Sequence, residues 1–245
     1  MVTRRLRQAP SSIEPVRVTV AAEAVLEQLR RAIGLGRFLP GDKLPPERSL
    51  ARQLAVSRTT LRAALRDLVG DGVVEILRGA QGGIVVREGG QGGRNPRHTQ
   101  EEIENTFAFR LANERAAARL AAARRTAADL RRLRGLLNVM KGLTDTAEQR
   151  RNPDNVARFV AVDADFHLAI ARAARHPLFE EAVERALARR YLPFGTVFVA
   201  VHDDANHGHA EILAAIEAGD ENRAERLMAA HVERNYRIAR ALLRQ

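Results

Sequence analysis

One carboxylate and three imidazoles in the second half of the chain have the types and spacing of a metal site: Asp163, His167, His209 and His231. Asp163 and His167 are four residues apart, which places them on one face of a helix. Each of the four shares its helical spacing with apolar residues, so all are predicted to point into a helical core. Buried ionisable groups are costly unless they are partnered. The alternative is four unrelated polar residues, each satisfied separately.

Carboxylate and imidazole ligands from facing helices suit zinc, nickel or manganese. The chain contains no cysteine, so thiolate metal sites, disulfides and cysteine nucleophiles are excluded, and a cytoplasmic protein is expected. Among the other histidines, His176 precedes a proline and is interpreted as a helix terminus. His202 and His207 are interpreted as loop or surface residues, although His207 is close enough in sequence to rival His209.

A second group of residues, in the first half of the chain, could contact nucleic acid: Ser57, Arg58, Thr59, Thr60 and Arg62. They lie in the first turns of a predicted helix, the part that offers side chains to base edges in a major groove. Arginine can bind both acceptors of guanine, whereas hydroxyls and helix N-terminal amides suit phosphates. The alternative is a solvated basic face.

The overall charge also favours an anionic partner. The 245 residues carry a formal net charge of +10, and residues 1–90 contain 15 Lys and Arg against 9 Asp and Glu. This excess favours a nucleic-acid partner, although an arginine-rich composition with only two lysines is an alternative explanation. No apolar run of about 18 residues predicts a membrane span, and the basic N-terminus lacks the apolar core of a secretory signal.

The elements predicted in the first half are three helices followed by a hairpin. Their predicted ranges are 18–33, 46–55 and 57–72 for the helices, and 73–77 and 84–86 for the strands. Pro46 is expected in the first turn of the second helix, and Ser57 is expected to cap the third. This is the element order of a winged helix-turn-helix.

The predicted fold class is mainly α, with the winged helix-turn-helix followed by an all-α bundle. We predict a flexible basic tail at 1–14, a DNA-binding domain at 15–87, a Gly-rich linker at 88–98, and an effector-binding and dimerisation domain at 99–245. Helices in the last domain are predicted at 99–124, 126–142, 154–174, 177–191, 195–218 and 221–243.

Residues 21–87 resemble the DNA-binding domain of GntR-type bacterial transcription regulators. The landmarks are Pro40-Gly41-Asp42, Leu44-Pro45, Glu47-Arg48, Val56-Ser57-Arg58 and Leu61-Arg62-x-Ala64-Leu65. The resemblance implies that Arg48, Arg58 and Arg62 touch DNA. The chain departs from the pattern at Pro46, where a small hydroxyl residue is frequent, and in the wing, where Arg78 is the one arginine and Ala80-Gln81 are unusual.

Residues 101–243 resemble the effector-binding domain of the FadR-type branch of these regulators. The segments that show this resemblance are FRLANERAAARLAA, DADFHLAIARAARHP, HAEILAAIEAGD and MAAHV. In its metal-binding members the ligands match Asp163, His167, His209 and His231. The resemblance further implies a small carboxylate effector that completes the metal shell. Arg110 would hold the remaining charge of the effector; a surface ion pair with Glu114 is the alternative role.

Together these features predict a regulator, and not an enzyme, that binds a double-stranded DNA operator as a homodimer. The effector would favour one arrangement of the DNA-binding domains and so change operator affinity. Repression relieved by the effector is the commoner mode in the resembling family. Two alternatives stay open: a metal-dependent hydrolase-like bundle tethered to DNA, and an architectural DNA binder with an inert bundle.

Overall fold

The computed structural model describes residues 20–79, 82–87, 100–190, 201–202 and 204–242. The first half consists of three helices and a two-stranded antiparallel sheet. The elements are α1 (Val20–Gly34), α2 (Glu47–Gln53), α3 (Arg58–Gly70), β1 (Val74–Leu77) and β2 (Gly83–Val86). The predicted N-terminal tail and the linker at 88–98 lie outside the described residues.

Apolar spacing and local capping explain the winged helix-turn-helix. Val25, Leu29 and Ile33 recur every four residues on α1 and are buried against α3. Ser57 caps α3 by accepting a hydrogen bond from the Thr60 backbone amide. Pro46 does not lie in the first turn of α2 as expected but immediately before it, at the N-cap, where it makes no side-chain hydrogen bond.

The second half is built from six helices in the described residues. They are α4 (Gln100–Arg124), α5 (Ala127–Gly142), α6 (Pro153–Ala173), α7 (Pro177–Arg190), α8 (Ala205–Ala218) and α9 (Glu221–Leu242). α4 packs along α9, and α6 packs against α4, α5 and α7. None of the described helices is long and apolar enough to cross a membrane. The fold class is therefore mainly α, as predicted.

One local prediction in the bundle, the start of the fifth helix, needs correction. The helix expected from residue 195 begins only at Ala205, and residues 201–202 are not helical; residues 195–200 lie outside the described part. The Val201 amide donates to the Arg150 carbonyl. Residues 201–202 are therefore bonded to the chain between α5 and α6 and do not form a helical turn. The acceptor belongs to a short 3-10 turn, Gln149–Arg151, that the sequence did not predict.

The two halves of the chain touch through the connection that follows α1. Val160 of α6 packs into the core of the first half, and Leu35 packs among residues of α6 and α7. Arg37 donates two hydrogen bonds to the Asp165 carboxylate, at 2.7 and 3.1 Å. This hydrogen-bonded ion pair raises the pKa of Arg37.

Glycine is required where this connection meets the bundle. A Cβ atom at Gly34 would lie 2.1 Å from the Ala188 carbonyl oxygen, and one at Gly36 would lie 2.4 Å from the Ala161 Cβ. Gly36 also has a φ of +69°, which other residues rarely adopt. The two halves can therefore approach this closely only because Gly34 and Gly36 have no side chain.

Candidate metal centre and nucleic-acid interface

The four predicted ligands converge at the centre of the bundle. Asp163 and His167 come from α6, His209 from α8 and His231 from α9, and one ligand atom from each lies within 4.8 Å of the others. His209 Nε2 is 2.9 Å and His167 Nε2 is 3.6 Å from Asp163 Oδ1. All four side chains are buried.

Packing among rings orients the imidazoles. The centroids of His209 and His231 are 4.5 Å apart, and the Phe166 ring meets His209 edge-on at 5.2 Å. Asn235, one turn after His231 on α9, places its Nδ2 atom 3.1 Å from His231 Nε2. The ligands are thus held by apolar and polar neighbours from their own and adjacent helices.

Behind His167 lies a buried ion pair that also faces the cluster. Glu114 Oε2 is 2.5 Å from His167 Nδ1, and Arg110 Nε donates to Glu114 Oε1 over 2.6 Å. An Nδ1–H directed at a carboxylate leaves Nε2 as the ligating nitrogen. The ion pair with Glu114, given as the alternative role of Arg110, does form, but it does not lie at the surface, because the two side chains are 0% and 2% exposed.

The pKa shifts follow from burial and these charges. Burial alone would raise the pKa of Glu114, but the charges of Arg110 and His167 outweigh burial and hold it well below its usual range. Burial would lower the pKa of His167, yet the carboxylates of Glu114 and Asp163 raise it. Burial, followed by the neighbouring His209 and His167, lowers the pKa of His231 well below its ordinary value.

The donor set fits a divalent metal ion. One carboxylate and three imidazoles are ligands for zinc, nickel and manganese. His167 Nε2 is buried and makes no hydrogen bond within the described part of the chain. An imidazole nitrogen of this kind has a lone pair that is shielded from water and aimed at the other ligands.

The remaining histidines with a described side chain are not part of this cluster. His207 precedes His209 on α8, but its side chain is 74% exposed and lies 3.4 Å from Glu211. His202 is exposed, and His176 packs beside the Phe179 ring. The helical register therefore directs His209, and not His207, toward the other ligands.

Arg110 lies beside the cluster, and one nitrogen of its guanidinium makes no hydrogen bond in the described residues. Its guanidinium lies 5.1 Å from the centroid of the Phe107 ring, and its charge contributes to the lowered pKa of His231. Nε and Nη2 face Glu114, whereas Nη1 is buried and has no hydrogen-bond partner in the described residues. A buried donor of this kind needs an acceptor.

The predicted DNA-contacting residues lie together on the exposed side of α2 and α3. Arg48, Ser57, Arg58, Thr59 and Arg62 are exposed and Thr60 is half-buried. Arg78 is exposed directly after β1, and Ala80 and Gln81 of the wing lie outside the described residues. Helix α3 therefore presents both arginines of its first turns to solvent.

Sequence reasoning missed one acidic neighbour of these arginines. Arg62 Nε donates to Glu47 Oε2 over 2.8 Å, and Arg58 Nη2 lies 3.9 Å from the same oxygen. Glu47 begins α2, so the pairing depends on how α2 and α3 pack and has no periodic signal along the chain. The carboxylate holds the two guanidinium groups next to each other.

A winged helix-turn-helix joined to a helical bundle with a buried polar centre defines a DNA-binding transcription regulator. The model of the bacterial regulatory proteins, gntR family, matches residues 21–86, and that of the FCD domain matches residues 105–234. The chain belongs to the GntR family, in its branch with a FadR-type helical domain. The family consists of transcription regulators and not of enzymes, which excludes the hydrolase alternative.

Individual relatives agree with this assignment. The HTH-type transcriptional regulator RmpR of Mycobacterium gastri is 30% identical, covering 87% of this chain and 78% of that protein. The L-lactate dehydrogenase operon regulatory protein of Escherichia coli K12 is also 30% identical, covering 86% and 83%. Both names are provisional for those proteins. The solved structure of E. coli McbR/YncC has a TM-score of 0.56 at 23% identity, covering 90% of this chain and 97% of that one, and shows the shared fold.

Proposed function

We propose that this regulator is a repressor whose bundle binds a divalent metal ion and a small carboxylate effector, and that the effector weakens operator binding. The observation that carries the proposal is the buried convergence of Asp163, His167, His209 and His231. The protein would act as a homodimer, because one recognition helix covers a half-site and two-fold operators match two-fold proteins.

The metal would be held by the four ligands and would supply Lewis-acid sites for oxygen donors of the effector. An octahedral ion bound by four protein atoms keeps two positions, which a carboxylate with an adjacent hydroxyl or keto oxygen can occupy. Arg110 would donate its free Nη1–H to the same molecule. The E. coli relative is named for a lactate dehydrogenase operon, and lactate is a 2-hydroxy acid of this kind.

Helix α6 offers a direct physical route from the effector to DNA. Asp163 and His167 lie on the face toward the metal centre, whereas Ala161 and Asp165 contact the connection after α1. A shift of α6 on effector binding would move Ala161 and Asp165, and so change the contacts between the bundle and the DNA-binding half. By linkage, an effector that prefers one arrangement must alter DNA affinity.

This coupling can be tested at the close approach of Gly34. Gly34→Ala would force the α1 connection away from α7, since its Cβ would overlap the Ala188 backbone. Wild-type protein should change its affinity for a selected operator by about 5–150-fold on addition of effector, the usual scale of allosteric coupling. We expect Gly34→Ala to reduce this ratio to near one while metal content stays unchanged.

Fluorescence anisotropy of an operator selected from random duplexes, with and without L-lactate and related 2-hydroxy acids, measures this ratio. Gly135→Ala is the matched control, because its added Cβ would meet no atom within 4 Å apart from the nearby backbone of its own helix. A Gly34→Ala protein that responds like wild type contradicts the route through α6. A wild-type protein that responds to none of these acids supports instead an architectural DNA binder with an inert bundle.

Base recognition by α3 gives a second prediction. We propose that Arg58 and Arg62 read bases while Arg48, Ser57, Thr59, Thr60 and Arg78 hold the DNA backbone. Arg58→Ala should then weaken operator binding by about 1–3 kcal/mol and relax base preference at one position. Arg66→Ala, one turn beyond Arg62 on α3, should keep the base preference. Equal losses on operator and scrambled DNA at fixed salt would assign Arg58 to phosphate contact alone.

A further inference from the structure

We propose that the effector of the metal centre carries a single negative charge, with a neutral oxygen in place of a second carboxylate. This inference rests on the proposed function and specifies its ligand class. It differs from the expectation that Arg110 pairs with a remaining charge of the effector.

The charge of Arg110 is already compensated within the protein. Its Nε and Nη2 atoms lie 2.6 and 3.4 Å from the two carboxylate oxygens of Glu114. Both side chains are buried, so water does not screen the pair. The guanidinium therefore has a free N–H to donate but no uncompensated charge for a second carboxylate.

The other buried charges leave room for one anion. The buried ionisable side chains in the described residues are Arg110, Glu114, Asp163, His167, His209 and His231. When the three imidazoles ligate as neutral groups, a divalent ion and Asp163 leave one positive charge in excess. One carboxylate neutralises this excess, whereas a dicarboxylate leaves a buried negative charge, which is strongly unfavourable.

The unpartnered Arg110 Nη1 favours an effector whose second functional group is a neutral hydrogen-bond acceptor. A buried N–H without an acceptor is costly, and a hydroxyl, keto or amide oxygen satisfies it without adding charge. The favoured ligand is therefore a small monocarboxylate with a neutral oxygen acceptor besides the atoms that would chelate the metal.

Two ligands of nearly equal shape test the charge requirement directly. L-Malate and its 4-monoamide differ mainly in whether the second terminal group is a carboxylate or an amide. Calorimetric titration of the full-length, metal-loaded protein should show the monoamide binding at least about tenfold more tightly, the effect of 1.4 kcal/mol. L-Lactate serves as a shorter monoanionic probe.

Glu114→Gln adds a complementary test because it keeps the side-chain shape and removes the charge that compensates Arg110. The ratio of malate to monoamide affinity should then rise by about tenfold or more. Glu104→Gln removes a charge from the same helix outside the buried cluster, and should leave the ratio unchanged. Metal content of each variant shows that the centre is intact.

The outcomes separate this inference from the proposed function. Wild-type preference for malate over the monoamide overturns the single-charge requirement but keeps an acid effector. Binding of none of the three acids overturns the proposed acid effector and this inference with it. An intact Glu114→Gln protein with the wild-type ratio overturns the compensating role of Glu114. If Glu114→Gln loses its metal, the relative affinities of wild-type protein for malate and the monoamide alone decide whether the effector carries one charge.

Discussion

His209→Ala is expected to abolish metal binding, whereas His207→Ala should keep about one ion per chain, as expected for a site with four protein ligands. His209 points into the cluster, with Nε2 at 2.9 Å from Asp163 Oδ1. His207 is two residues away on the same helix, but its side chain is exposed. The two variants therefore compare the same substitution inside and outside the proposed metal centre.

Elemental analysis of gel-filtered protein measures the metal content, and thermal unfolding provides an independent readout. An ion that binds the folded state alone raises Tm, so Tm should increase with metal for wild type and His207→Ala but not for His209→Ala. Loss of metal in His207→Ala with retention in His209→Ala would contradict the register of α8. Equal metal content in both variants and wild type would place the ion elsewhere.

Glu114→Leu should lower the free energy of unfolding of the metal-free protein by about 3–5 kcal/mol, the usual cost of leaving one member of a buried pair uncompensated. Arg110 would remain buried without its carboxylate partner, and His167 would lose its Nδ1 contact. Urea unfolding in the presence of a chelator measures the change. The m-value checks that the unfolding reaction is the same in each variant.

The double variant Arg110→Met/Glu114→Leu provides the control. Replacing a buried pair by apolar residues of similar volume is often neutral or stabilising, so the double variant should be more stable than Glu114→Leu alone. A double variant as unstable as the single one would show that lost packing, and not the unpaired charge, causes the effect. The pair would then be an ordinary packing element of α4.

The sequence by itself determined most of the local structure, because the signals for helices lie within a few residues. Apolar spacing on α1, the Ser57 cap of α3 and the Thr126 capping box of α5 are all local patterns. The same periodicity predicted that the four metal-ligand candidates face inward. The start of α8 escaped this reasoning, because Val201 bonds to a carbonyl from a distant turn.

The tertiary structure alone decided which side chains meet between helices. Glu114 meets His167 across α4 and α6, Glu47 meets Arg62 across α2 and α3, and Gly34 meets Ala188 across the two halves. Spacing along one helix shows which way a residue points, but the partner it meets depends on the translation and rotation of a second helix. Those quantities are set by packing of the whole core. For that reason the type of ligand cluster was predictable, whereas the burial of the Arg110–Glu114 pair and the contact between the halves were not.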